Sequence, residues 1–359
     1  MTVDPRSEAA ARGGLPAPVW RAVHAAANGE PWPPSDDRAG ELFVAQASRE
    51  GLLPLLFEAA DLPDAVRAAV GRQPALLALA RARAAILFRA LGTLGDLLRD
   101  EPFVVLKGAD YAFRLYPRPE QRPMQDLDVL VPGDRLPAVC ERLQAAGLVA
   151  RRPRTAAREA PSYYERAFLM GDVVVEVHQA FLQRSRLRVD YEAVWRRRVP
   201  IAQAGPAAAR LDDVDALAYH ALSLAKDEFS VPLVRYVDLW LMLHAGPELL
   251  GAAAARAAEW RAARALFGAL HQAGRLFPEL AEVSVRSVAR ALVGPLSGRF
   301  LARFVLPPPE EQGRAGAVGR ARQLWRKFWL MDDVWRRLAF AAEHAGASAR
   351  GLRGGRPRP

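Results

Sequence analysis

The chain has 359 residues, 51% hydrophobic and 25% charged, enough length and apolar content for the buried core of one large domain or two ordinary ones. Its net charge of +10 rests almost wholly on arginine, because Lys107, Lys226 and Lys327 are the only lysines. Such a surface attracts phosphates, nucleic acid or anionic lipid, although arginine as a generic solvated residue is the plainer reading. One cysteine, Cys140, excludes an internal disulfide and a cysteine-rich zinc cluster.

In chain order, the first residues are acidic early and lead into no apolar stretch, so they do not read as a signal peptide. Residues 16–99 read as helices. Ser35 or Asp36 is the expected N-cap after a Pro-rich loop, and Ala75–Leu98 is a long amphipathic pattern. Arg81, Arg83 and Arg89 interrupt that pattern, so it is not a membrane span; a cytoplasmic protein with no membrane partner is the expectation. At Pro102 the texture changes. Phe103–Leu106 reads as a short strand, Gly108 permits a turn, and 109–116 reads as a helix that the prolines at 117, 119 and 123 cannot continue.

Asp126–Val131 is the next predicted strand. Alternation puts Asp126, Asp128 and Leu130 on one face and Leu127, Val129 and Val131 on the other. Two adjacent carboxylates at the start of an apolar strand repel each other and resist burial, and a divalent cation relieves both problems. A helix follows over 135–146 and stops at Gly147; 151–160 is a basic loop. Strands over 163–170 and 173–179 flank the two-residue turn Gly171-Asp172. In the second of them Val174, Glu176 and His178 share a face, and Glu176 in an apolar run needs a partner. If this strand lies beside Asp126–Val131, Glu176 becomes the third carboxylate of one centre. Hard oxygen donors suit Mg²⁺ or Mn²⁺, and two such ions serve in-line phosphoryl or nucleotidyl displacement. His178 reads as an orienting neighbour of that centre. From Leu211 to about Phe304 the pattern is helical again. Residues 307–319 read as a linker, 321–343 as a last helix with Trp325, Phe328, Trp329 and Trp335 on a packed face, and 346–359 as a disordered tail.

The run Val104–Val131, with Glu176-Val177-His178 downstream, resembles the uncharacterised bacterial nucleotidyltransferases of the DNA polymerase β-like superfamily. It has Leu-Lys-Gly, then Tyr116-Pro117, then Arg122 before an Asp-x-Asp strand, then an acidic residue followed by His. His220, Lys226 and Asp238 stand where that family places a His, a basic residue and an Asp on helices. The resemblance spans roughly 101–243. Ala109 departs from the wider superfamily, which has Ser after the Gly, and the Gly108–Asp126 spacing is longer than its norm.

The expected fold is therefore α/β (α+β): a small mixed-sheet nucleotidyltransferase core over 101–205 between helical regions over 1–100 and 206–345. The expected function is Mg²⁺- or Mn²⁺-dependent transfer of an NMP, with ATP among the candidate donors, to an unknown small-molecule or protein acceptor. Asp126, Asp128 and Glu176 are the expected catalytic and metal residues. Lys107, Gly108, Ala109, Arg122 and His178 are the expected nucleotide-side residues, with backbone amides after Gly108 facing an anion. Asp238 reads as a hydrogen-bond or salt-bridge residue and His220 as a core or capping histidine. The alternatives are a non-catalytic nucleotide-binding or protein-interaction module, and a nucleic-acid-binding protein using its arginines.

Overall fold

In a computed structural model of the chain, the described residues are 36–59, 62–151, 163–183, 186–277, 283–306 and 320–333, with a few isolated positions besides. Most of the expected stretches at 16–35, 151–160, 307–319 and 346–359 lie outside them.

The first described helix, α1 (Asp37–Arg49), is capped by Asp36, whose side chain accepts from the Ala39 amide at 2.8 Å. Its buried Phe43, Val44 and Ala47 recur at helical spacing. Next come α2 (Leu53–Leu56), α3 (Asp64–Gly71) and the long α4 (Pro74–Leu97). Proline stands in the first turn of α4, where a missing N–H costs nothing. The buried residues of α4 run from Ala84 to Gly95 and include Leu87, Leu91 and Leu94.

The sheet has seven strands: β1 (Phe103–Leu106), β2 (Asp126–Leu130), β3 (Val149–Ala150), β4 (Glu165–Met170), β5 (Val173–His178), β6 (Val199–Pro200) and β7 (Ala208–Arg210). Their order is β3-β4-β5-β2-β1-β7-β6. The sheet thus runs past residue 205, because β7 pairs parallel with β1. Strand β2 sits between antiparallel β1 and parallel β5. Gly171 opens the tight β4–β5 connection at φ +58°, a conformation that disfavours a side chain. One sheet face, with Val105, Leu127, Val129, Val175 and Val177, packs on α4 and α6 (Leu136–Ala145). Each of these fully buried valines and leucines contributes about 1.5–3 kcal/mol.

Helix α5 (Lys107–Leu115) leaves β1 without a loop. The left-handed residue at that junction is Lys107, at φ +50°, and not Gly108 as the sequence suggested. Gly108 serves a close approach instead: a Cβ there would stand 3.1 Å from Met124 Cγ. After α7 (Tyr191–Arg197) the chain is mostly helical through α8 (Asp213–Lys226), α9 (Val234–Ala245), α10 (Leu249–Glu259), α11 (Ala263–Leu276), α12 (Val283–Val293) and α13 (Pro295–Phe300), the last running into a π-turn at Leu301–Val305. Helix α14 (Arg320–Leu330) ends well before 343. Asp332 accepts from the first amides of α11, at Ala263 (2.6 Å) and Arg264 (2.9 Å), so the chain leaves the helix to cap another. Trp335 lies outside the described residues. The first helices, the second sheet face and α8–α11 share one apolar cluster that includes Phe43, Leu130, Tyr219 and Leu266. No helix among the described residues is long and apolar enough to cross a membrane.

Candidate active site

Parallel pairing of β2 and β5 places Asp126 opposite Val174, Asp128 opposite Glu176 and Leu130 opposite His178. Register partners share a face. Asp126, Asp128, Glu176 and His178 therefore project from the same side of the sheet, opposite the valine-rich core face. The ligand atoms of Asp128, Glu176 and His178 all lie within 4.8 Å of one another.

Lys107 and His178 hold this cluster. Lys107 Nζ donates to Asp128 Oδ1 at 2.6 Å, a reach set by the Leu106–Asp128 pairing of β1 with β2. His178 Nε2 lies 2.9 Å from the same oxygen and 3.6 Å from Glu176 Oε2. Burial opposes the charge on Asp128, but Lys107 and His178 outweigh it and hold its carboxyl well below the usual carboxylate range. The His178 contact likewise holds Glu176 low against its own burial. Burial disfavours the charged forms of Lys107 and His178, yet their carboxylate partners win and both pKa values rise. Among the described residues, Asp126 has no lysine, arginine or histidine in hydrogen-bond contact. Its burial, then the negative charge of Asp128, push its pKa up to about 6. The strained backbone at Lys107 is consistent with a side chain whose aim matters.

Asp126, Asp128 and Glu176 open onto a cleft of about 720 Å³, together with Lys107 and Gly108. His178 does not line it; it is buried behind Asp128. Ala109 is buried in the first turn of α5. Arg122 borders the cleft, but its guanidinium is committed elsewhere. It makes three hydrogen bonds of 2.7–3.0 Å to Asp238 of α9, whose Oδ1 also accepts from Tyr116 at 2.8 Å. Asp238 is thus a salt-bridge residue joining α9 to the loop before β2. His220 is a buried core histidine whose Nε2 donates to the Arg235 carbonyl at 2.8 Å.

Two features of the cleft and its surroundings are not legible in the sequence. Glu165 of β4 is the register partner of His178; its Oε2 lies 3.9 Å from His178 Nδ1 and 3.6 Å from Lys226 Nζ. The only sequence signal for it is strand alternation within 165–170. Arg49, Leu53, Leu76 and Arg83, from α1, α2 and α4, form another part of the cleft wall. Long-range packing alone brings them there.

The donor set fits a hard divalent cation: carboxylate oxygens on one sheet face, a supporting imidazole and no thiol. A mixed sheet with paired carboxylates on its adjacent strands β2 and β5, beside a Lys-Gly helix start, is the arrangement expected of a nucleotidyltransferase. The model of the uncharacterised nucleotidyltransferase family matches residues 36–278, and the chain belongs to that family. Neither the curated proteins nor the solved structures contain a match.

Proposed function

We propose that the protein transfers a nucleoside monophosphate from an NTP to an acceptor hydroxyl. The acceptor oxygen bonds to the α-phosphorus, the bond to the β-phosphate bridge breaks, and pyrophosphate leaves with the electron pair. The observation that carries this reading is the register pairing of Asp128 with Glu176, with Asp126 on the same face at the cleft floor. These three carboxylates would hold Mg²⁺ or Mn²⁺, which supplies charge neutralisation for the triphosphate and the leaving group when bound. Lys107 and the first amides of α5 face the phosphates from a nine-residue helix. His178 holds Asp128 in place from behind. Glu176, with a quarter of its side chain exposed, would take the acceptor's proton. The apolar and arginine-bearing wall from α1, α2 and α4 gives an acceptor a second surface.

The test is incubation with each α-labelled NTP and Mg²⁺, with and without cell extract, followed by identification of the labelled product. Labelled product that disappears in Asp128→Asn supports transfer. Metal-dependent NTP binding without any labelled product would favour a binding module, and salt-sensitive RNA or DNA binding that survives Asp126→Asn would favour the arginine surface.

A further inference from the structure

The C-terminal helices carry a chemical feature built from elements other than the acidic cluster. Segments 283–306 and 320–331 contain eight arginines and lysines and no aspartate or glutamate. Within them Leu296, Phe304 and Trp325 are 79%, 60% and 45% exposed. Leu296, Phe300 and Phe304 recur every fourth residue along α13 and the π-turn, which places them on one side of that helical run. The Phe300 and Phe304 ring centroids are 5.6 Å apart. Trp325 Nε1 donates to the Phe304 carbonyl at 3.4 Å, and Trp329 bridges Trp325 (5.5 Å) to Phe300 (4.7 Å). These contacts make one continuous aromatic patch with an apolar outer surface.

Its exposed charge is basic, although Arg326 is buried and Lys327 pairs with Glu228 at 3.3 Å. Arg299 and Arg303 are exposed, one turn apart, and have no carboxylate partner among the described residues; Arg303 lies 5.8 Å over the Phe304 ring. The same helical run lines a cavity of about 500 Å³ with an apolar floor at Phe267 and Leu270 and with Arg275, Arg290 and Arg299 on its walls. Exposed tryptophan, phenylalanine and leucine among arginines match the polarity of a bilayer interface, apolar inside and anionic at the phosphates. A second copy of the chain would bring like charges together on a protein of net charge +10. Nucleic-acid bases stack on aromatic rings but give the exposed aliphatic Leu296 no matching surface.

We propose that this face docks the protein on the surface of an anionic bilayer, with Leu296, Phe304 and Trp325 at the acyl boundary and Arg299 and Arg303 at the lipid phosphates. The mode is peripheral and needs no spanning helix. It stands apart from the nucleotidyl-transfer reading and does not depend on it.

The experiment is co-sedimentation of the full chain with phosphatidylcholine vesicles, with and without about one third phosphatidylglycerol, alongside tryptophan quenching by brominated acyl chains. Binding is expected only with the anionic lipid, weakening as salt rises. Leu296→Ser with Phe304→Ser is expected to lower affinity at least about tenfold. Arg299→Gln with Arg303→Gln does the same without touching the apolar patch, so failure of one variant to fold leaves the other to decide. Trp325→Phe is expected to remove much of the quenching while retaining sedimentation. Equal binding to neutral vesicles, no binding to either kind, unchanged affinity in both folded double variants, or a dimer that the same variants dissolve would overturn the proposal.

Discussion

At the scale of single residues, the site is a contest between burial and charge. Asp128 stays ionised because Lys107 and His178 reach one of its oxygens, whereas Asp126, two residues away on the same face, lacks that support and rises to about 6. Elsewhere the same contest shapes stability. Asp238 is fully buried with Arg122, and Asp238→Ala strands a buried guanidinium. A loss of about 3–5 kcal/mol in denaturant unfolding is expected, and much less for Arg122→Met combined with Asp238→Leu, which removes both charges. An Asp238→Ala protein as stable as the wild type would refute the pairing. His220 is a neutral core residue whose pKa burial depresses from 6.5 to about 4. Its depressed value means that the unfolded chain binds the proton more tightly. Stability is therefore whole above pH 6.5 and falls as pH drops from 6.5 towards about 4, by up to ~3 kcal/mol. His220→Gln is expected to flatten that part of the stability–pH curve, and an unchanged slope would contradict it.

At the scale of elements, close backbone approaches decide what the helices tolerate. Gly95 in α4 meets the Ala204 carbonyl, which an added Cβ would approach to 2.0 Å, while Gly92 one turn earlier faces open space. Gly95→Ala is expected to cost about 1–3 kcal/mol through forced backbone movement. Gly92→Ala is expected to gain about 0.5–1 kcal/mol. Thermal unfolding of both variants separates the two, and equal shifts would refute the packing of α4 on the 202–204 turn. Strand β1 was legible as a short apolar run and β2 and β5 by alternation of polar and apolar residues, and the faces of Asp126–Val131 came out as alternation required. Strands β6 and β7 were not legible: Val199–Pro200 and Ala208–Arg210 are too short to show a period, and pairing of β7 with β1 and of β6 with β7 selects them. The left-handed residue at Lys107 was missed because a Gly next door is the ordinary choice for that conformation. Glu165 and the cleft wall from α1, α2 and α4 depend on contacts between distant segments, which periodicity does not encode. Arg122 sat in the right loop, but its guanidinium went to Asp238, a partner 116 positions away.

At the scale of the whole molecule, one apolar cluster runs from Phe43 through the second sheet face to Leu301. The helices before the sheet and those after it therefore brace each other around the cleft. Glu50 of α1's C-cap, for example, accepts from the Leu233 amide at 2.9 Å beside α9. Unfolding followed by far-UV circular dichroism and by tryptophan fluorescence is expected to give one coincident transition for this shared core. Two separated transitions would show that the flanking helices fold apart from the sheet. The cleft that this arrangement creates has Asp126, Asp128 and Glu176 on the sheet side and, on the helical side, apolar and arginine residues of α1, α2 and α4 with Lys226, Asp227 and Arg235, an arrangement suited to a metal-bound triphosphate facing an acceptor. The most direct test of that claim is single-turnover labelling with α-labelled NTP and Mg²⁺, read beside NTP affinity, in wild type, Asp128→Asn and Glu176→Gln. The expected result is labelled product from the wild type, loss of metal-dependent NTP binding in Asp128→Asn, and labelling slowed at least ~100-fold in Glu176→Gln with NTP affinity nearly intact. Labelling and binding that are the same in all three proteins would contradict a nucleotidyl-transfer site at these carboxylates.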